Sequence, residues 1–130
     1  MKILVGYDGS NAGREALSMA RRCAAAFGAS VEVVTSMAKG TESEQEQIIQ
    51  AEKGLEYAKS LFEKQQIPCN THLMIRGMSP GEDLVKFIEE NSMDLVVVGV
   101  KRRSKVGKLL MGSTAQYVIL KSQCPVLTVK

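Results

Sequence analysis

The sequence predicts an α/β fold: a doubly wound five-stranded parallel sheet, strand order 3-2-1-4-5, with four helices on its two faces. Short runs of branched apolar residues such as Leu95-Val96-Val97-Val98 lack polar alternation, as in strands buried on both faces. Those runs alternate with amphipathic segments of helical period, in the order βαβαβαβαβ. Right-handed crossovers then make a doubly wound sheet the economical solution. At 130 residues, with 45% hydrophobic and 24% charged residues, the chain reads as one domain spanning 1–130.

Lys2 to Gly6 forms the first strand. Ser10 to Phe27 follows as a helix that sets Ala16, Ala20, Cys23, Ala24 and Phe27 on one face, with Gly28 as its C-cap and Cys23 expected to be buried. Ser30 to Thr35 is the second strand. The second helix, roughly Ser43 to Gln66, carries the stripe Ile48, Ala51, Leu55, Ala58 and Phe62 and stops before Pro68. Asn70 to Ile75 has a weaker pattern and is placed near the sheet edge. Ser79-Pro80 opens the third helix as N-cap and first-turn proline, with Glu82 completing a capping box and Leu84 and Ile88 facing inward. Asp94 to Gly99 is the fourth strand, Gly112-Ser113-Thr114 opens a fourth helix running to about Ser122, and Pro125 to Val129 is the last strand.

Composition narrows the function classes. The longest uninterrupted apolar stretch, Cys23 to Phe27, is far too short to cross a bilayer, and Met1-Lys2-Ile3 runs straight into a strand, so a cytoplasmic protein is expected. Cys23, Cys69 and Cys124 are odd in number and widely spaced, which suggests neither a disulfide framework nor a zinc site. His72 has no second metal-type ligand nearby in sequence and reads as an edge or surface histidine. Met19, Met74, Met78, Met93 and Met111 read as core or turn packing. The net charge of +3 says little by itself, but Lys101, Arg102, Arg103, Lys105 and Lys108 crowd one stretch while the second helical region is acidic.

In a 3-2-1-4-5 sheet the chain leaves strands one and four in opposite directions, and a crevice opens where their carboxyl ends diverge. Tyr7-Asp8-Gly9-Ser10 borders it on one side, and the loop from Gly99 to Met111 on the other. That second loop exceeds the usual βα connection of about two to six residues. It carries five cations and ends at Gly112-Ser113-Thr114, where a helix start presents unpaired amides and two hydroxyl donors to an anion. An isolated G-S-T is more often a plain turn and N-cap, but position at the switch point beside clustered cations favours a phosphate site. Asp8 has a competing use as a cap or Asx turn in Asp8-Gly9-Ser10. Gly107 to Ser113 has Walker-like glycine spacing, yet Ser113 stands where the lysine belongs and no strand directly precedes Gly107, so a P-loop is rejected.

Four segments together resemble the universal stress protein family across essentially the whole chain. They are Ile3-Leu4-Val5-Gly6-Tyr7-Asp8-Gly9-Ser10, Arg76-Gly77-Met78-Ser79-Pro80, Asp94 to Gly99, and Leu110 to Val118 continuing through Cys124-Pro125-Val126-Leu127. One branch of that family binds ATP through G-x2-G-x9-G-[S/T], which here would start at Gly99 and finish at Gly112-Ser113. Arg102 replaces the second glycine, bringing bulk with a fixed charge. It either holds the terminal phosphates or fills the cavity, as in the branch that binds no ATP.

The resemblance implies a stress-response protein that binds ATP or AMP, leaves Mg2+ open, and senses or signals. Asp8 and Ser36 would lie toward the adenine or ribose, the match at Ser36 being positional only, and Tyr7 is counted with the nucleotide-binding residues. Gly99, Arg102, Gly112, Ser113 and Thr114 would surround the phosphates. It also implies a homodimer through the last strand. No assembled catalytic set is visible, since Asp8 is the one obvious carboxylate near the loop, so at most weak ATPase activity is expected. The alternatives are a slow ATP hydrolase and a stress protein that acts through protein partners without a nucleotide. The Lys101 to Lys108 cluster holds no stacking aromatic, which makes nucleic acid an unfavoured partner.

Overall fold

A computed structural model describes residues 1–38, 44–100 and 112–130. The expected start of the second helix at Ser43, the cations from Lys101 to Lys108, Arg102 among them, and Met111 lie outside the described residues. The elements are β1 (Lys2–Gly6), α1 (Asn11–Phe27), β2 (Ser30–Ser36), α2 (Gln45–Glu63), β3 (Cys69–Met74), α3 (Pro80–Asn91), β4 (Leu95–Gly99), α4 (Ser113–Lys121) and β5 (Val126–Val129). The five strands form one sheet in the order β3-β2-β1-β4-β5, every neighbouring pair parallel.

Alternation along the central strands divides the core. Ile3, Val5, Val31, Val33 and Val97 point to α1 and α2, where they meet Ala16, Leu17, Ala20, Leu55, Ala58 and Phe62. Leu4, Val34, Val96 and Val98 point the other way, onto Leu84, Val85, Phe87 and Ile88 of α3 and Ala115 and Val118 of α4. The inward stripe expected for the second helix is buried at Leu55, Ala58 and Phe62, whereas Ile48 and Ala51 nearer its start are only half-buried.

Helix ends follow their capping chemistry. Ser10 caps α1 by accepting from the Gly13 amide, and Gly28 closes it in the left-handed region at φ 65°. Ser79 caps α3 by accepting from the Glu82 amide and donates to Glu82 Oε1 at 2.8 Å, so the glutamate engages the cap hydroxyl itself. α2 ends at Glu63, short of the expected Gln66, with the Lys64 amide making the last helical bond, to the Ser60 carbonyl. Gln66 turns to φ 57°, and the Ile67 amide returns to the Phe62 carbonyl, which closes the turn before Pro68.

Two expectations about α1 need correction. Phe27, placed on the inward face by periodicity, is 60% exposed. It is the last helical residue, three before β2 begins, and so lies at the amino edge of the sheet with no layer opposite it. Cys23 is half-buried, packing against the rim of the core, because Gly13 and Leu17 share the central stripe with Ala16, Ala20 and Ala24.

On β3, which among the described residues pairs only with β2, His72 reaches Glu32 on its neighbour at 2.9 Å and tilts against the Phe87 ring. It is an edge histidine, and no His, Cys, Asp or Glu group suited to a metal ion forms among the described residues. Burial, with Glu32 nearby, pushes the Cys69 thiol up to about 11. Met93 is buried, and Met19 and Met74 pack against the two core clusters. No described helix is long and apolar enough to cross a membrane.

Candidate functional site

The carboxyl ends of β1 and β4 diverge into a cavity of about 170 Å³ at the predicted switch point. Seven of the eight residues singled out from sequence border it: Tyr7, Asp8, Ser36, Gly99, Gly112, Ser113 and Thr114. The eighth, Arg102, is outside the described residues. Sequence reasoning missed the opposite wall, where Val34, Pro80 and Leu84 supply an apolar surface. The alternation of β2 would have pointed to Val34, since it lies two residues before Ser36 on the same face of the strand.

Three helices open onto this cavity, and their starts differ. The α1 and α3 starts are closed by the Ser10 and Ser79 hydroxyls. The α4 start is capped by Gly112, which has no side chain to offer, and the first helical bond is formed by the Gln116 amide returning to the Gly112 carbonyl. The amides of Ser113, Thr114 and Ala115 therefore precede any intrahelical acceptor at the cavity wall. Together with the helix dipole they make a positive mouth. Ser113 and Thr114 occupy the first turn of the helix, so neither is the N-cap.

Asp8 adopts its local structural role: Oδ1 accepts from the Ser10 amide at 3.0 Å and from the Ser10 hydroxyl, an Asx turn that orients the α1 cap. Tyr7 is 6% exposed, its ring packed beside Gly13 and Gly54, while its carbonyl accepts from Thr35 Oγ1 at 2.7 Å. Gly99 is dictated by packing, since a Cβ there would lie 2.3 Å from the Ala12 carbonyl oxygen. The missing side chain lets the first turn of α1 rest directly on β4 and close one end of the cavity.

A polar chain behind the cavity was not foreseen. Ser36 Oγ donates to Asp83 Oδ2, and Asp83, on α3, is fully buried. Its other oxygen accepts from Arg76 Nε at 2.8 Å, and Arg76 Nη1 continues to Glu90 Oε1 at 3.2 Å. The hydrogen bond to Asp83 raises the arginine above its ordinary pKa, so the guanidinium stays charged.

A model of the universal stress protein family matches residues 1–130. The chain belongs to the universal stress protein family. A universal stress protein structure from Archaeoglobus fulgidus is 37% identical, covering 100% of this chain and 98% of that one with a TM-score of 0.90. A structure of the Archaeoglobus fulgidus universal stress protein in complex with dAMP is 33% identical over 100% of this chain and 98% of its own, TM-score 0.83. A universal stress protein in complex with cAMP is 25% identical over 99% and 95% of the two chains, TM-score 0.79. Nucleotide complexes thus occur among universal stress proteins that share this whole fold.

Proposed function

We propose that this universal stress protein binds an adenine nucleotide, AMP or ATP, in the cavity between β1 and β4, and works as a cytoplasmic stress sensor rather than as a catalyst. One observation carries the reading: of the three helix starts at the cavity, only that of α4 lacks a side-chain cap, and its amides stand beside the Ser113 and Thr114 hydroxyls. A phosphate fits such a start. The apolar wall of Val34, Pro80 and Leu84 suits a base. The dAMP and cAMP complexes of related proteins support the same ligand class. Among the described residues β5 is bonded only to β4, at the sheet's margin, and offers an edge for pairing with a second copy, which supports a homodimer.

Calorimetric titration of the full chain with AMP, and with ATP and magnesium, tests the site. Gly112 sits at φ −65° and ψ 158°, a conformation open to any residue, so Gly112→Val adds bulk at the amide mouth without backbone strain. Wild type should give a saturable heat, and the variant should bind at least about tenfold more weakly, as expected when a charge-assisted contact is lost. Equal heats from the two proteins would remove the site.

A further inference from the structure

We infer that the protein carries a second binding site, between the start of α1 and an exposed stripe of α2, that takes a small organic anion: an acidic group on an apolar body. The inference stands apart from the proposed nucleotide cavity and does not depend on it.

A cavity of about 980 Å³ opens on the α1 and α2 face of the sheet, at the upper end of the size range of ligand pockets. Among the described residues α2 contributes nothing to the nucleotide cavity, and α3 and α4 contribute nothing to this one. Tyr7, Asp8 and Ser36 border both.

The Tyr7 hydroxyl points to a ligand. The residue is nine-tenths buried, and its ring direction is fixed by two glycines. A Cβ on Gly13 would stand 3.1 Å from Tyr7 Cδ1, and one on Gly54 would stand 3.3 Å from Cε2. The ring therefore runs from α1 toward α2, and its hydroxyl end lies beside Gly54, which borders the second cavity and not the first. Among the described residues that hydroxyl has no hydrogen-bond partner, since the bond from Thr35 goes to the Tyr7 carbonyl. No sealed side-chain polar atom among them lacks a partner, so the hydroxyl is open to the cavity rather than enclosed. It offers a donor to whatever enters.

Charge selects what enters. Arg14 follows Gly13 and Lys53 precedes Gly54, so the two glycines that flank the ring each carry a cation beside them at the same cavity. Neither cation is in an ion pair among the described residues. Of the acids that border the cavity, Asp8 turns Oδ1 to the Ser10 amide, and Glu46 lies seven residues before Lys53, roughly 10 Å along α2. A phenol, a guanidinium and an ammonium thus share one level of the cavity, a donor set suited to a carboxylate or sulfonate. Ile49 and Tyr57, each 48% exposed, stand four residues to either side of Lys53 on one stripe of α2 and also line the cavity. They provide a surface for the apolar body of the same ligand.

The experiment compares two fluorescent probes, anilinonaphthalene sulfonate and its neutral parent phenylnaphthylamine, on wild type, Tyr7→Phe and the double variant Arg14→Gln/Lys53→Gln, with circular dichroism to establish that each is folded. Wild type should bind one sulfonate per chain, at least tenfold more tightly than the neutral probe. The double variant should lose that preference, and Tyr7→Phe, which keeps the ring, should weaken the sulfonate about tenfold while leaving the neutral probe unchanged. Saturating AMP should not displace the sulfonate. Equal wild-type affinities for the two probes, a preference that survives in the double variant, or displacement by AMP would overturn the inference. A wild type that binds the sulfonate as described but no AMP would remove the nucleotide site and leave this one standing.

Discussion

Gly99→Ala is expected to destabilise the protein by about 3 kcal/mol, at the upper end of overpacking penalties. The added carbon would meet the Ala12 carbonyl oxygen at 2.3 Å, its carbonyl carbon at 2.5 Å and its Cβ at 2.9 Å. Two of those atoms are backbone, so relief requires moving the first turn of α1 off β4. The similar contact at Gly6 is with the tip of the Leu84 side chain at 2.8 Å, which can rotate aside, and so is not equivalent. Urea unfolding followed by circular dichroism provides the check: the midpoint should fall with an unchanged slope. A midpoint equal to wild type would mean that α1 does not rest on β4 as described. Because Ala12 and Gly13 also border the cavity, the same variant should weaken nucleotide binding.

Arg76→Leu is expected to cost a comparable amount, about 3 kcal/mol, by leaving a buried carboxylate without its cation. Asp83 is fully buried and would retain the Ser36 hydroxyl alone as a side-chain donor. The arginine side chain is 31% exposed, which lets water replace part of the lost interaction and places the cost near the lower end of the range for broken buried pairs. Glu90, half exposed, adds little. The double variant Arg76→Leu/Asp83→Leu should recover most of the loss in thermal unfolding, because the unpaired charge is gone. A double variant no more stable than Arg76→Leu would show that Asp83 carries no uncompensated charge in the single one.

Much of this molecule was legible before any coordinates, because local chemistry and global topology agree. Unbroken branched runs mark the central strands, and the αL glycine at Gly28 and the Ser79-Pro80 start mark helix ends by backbone rules that need no tertiary information. The switch point follows from strand order and drew together residues as distant as Asp8 and Gly112, while Ser36, which borders the same cavity, was reached only through the family resemblance. Where sequence fell short, the deciding contact was nonlocal. Phe27 has the angular position of a core residue, and only its place at the end of the sheet exposes it. Asp83 reads as an ordinary first-turn acid beside Glu82 until the end of β2 and Arg76 are brought against it. Gly99 borders the cavity, and the α1 backbone packed against it adds a second, nonlocal reason for a glycine that the motif alone does not reveal.

Nuclear magnetic resonance titration of AMP into 15N-labelled protein addresses the nucleotide site most directly, since it reads each amide of the cavity separately. The largest shifts should fall on the Ser113, Thr114 and Ala115 amides, with a second set at the end of β2 around Ser36. Saturable binding that leaves the three α4 amides unmoved would contradict a phosphate at that helix start.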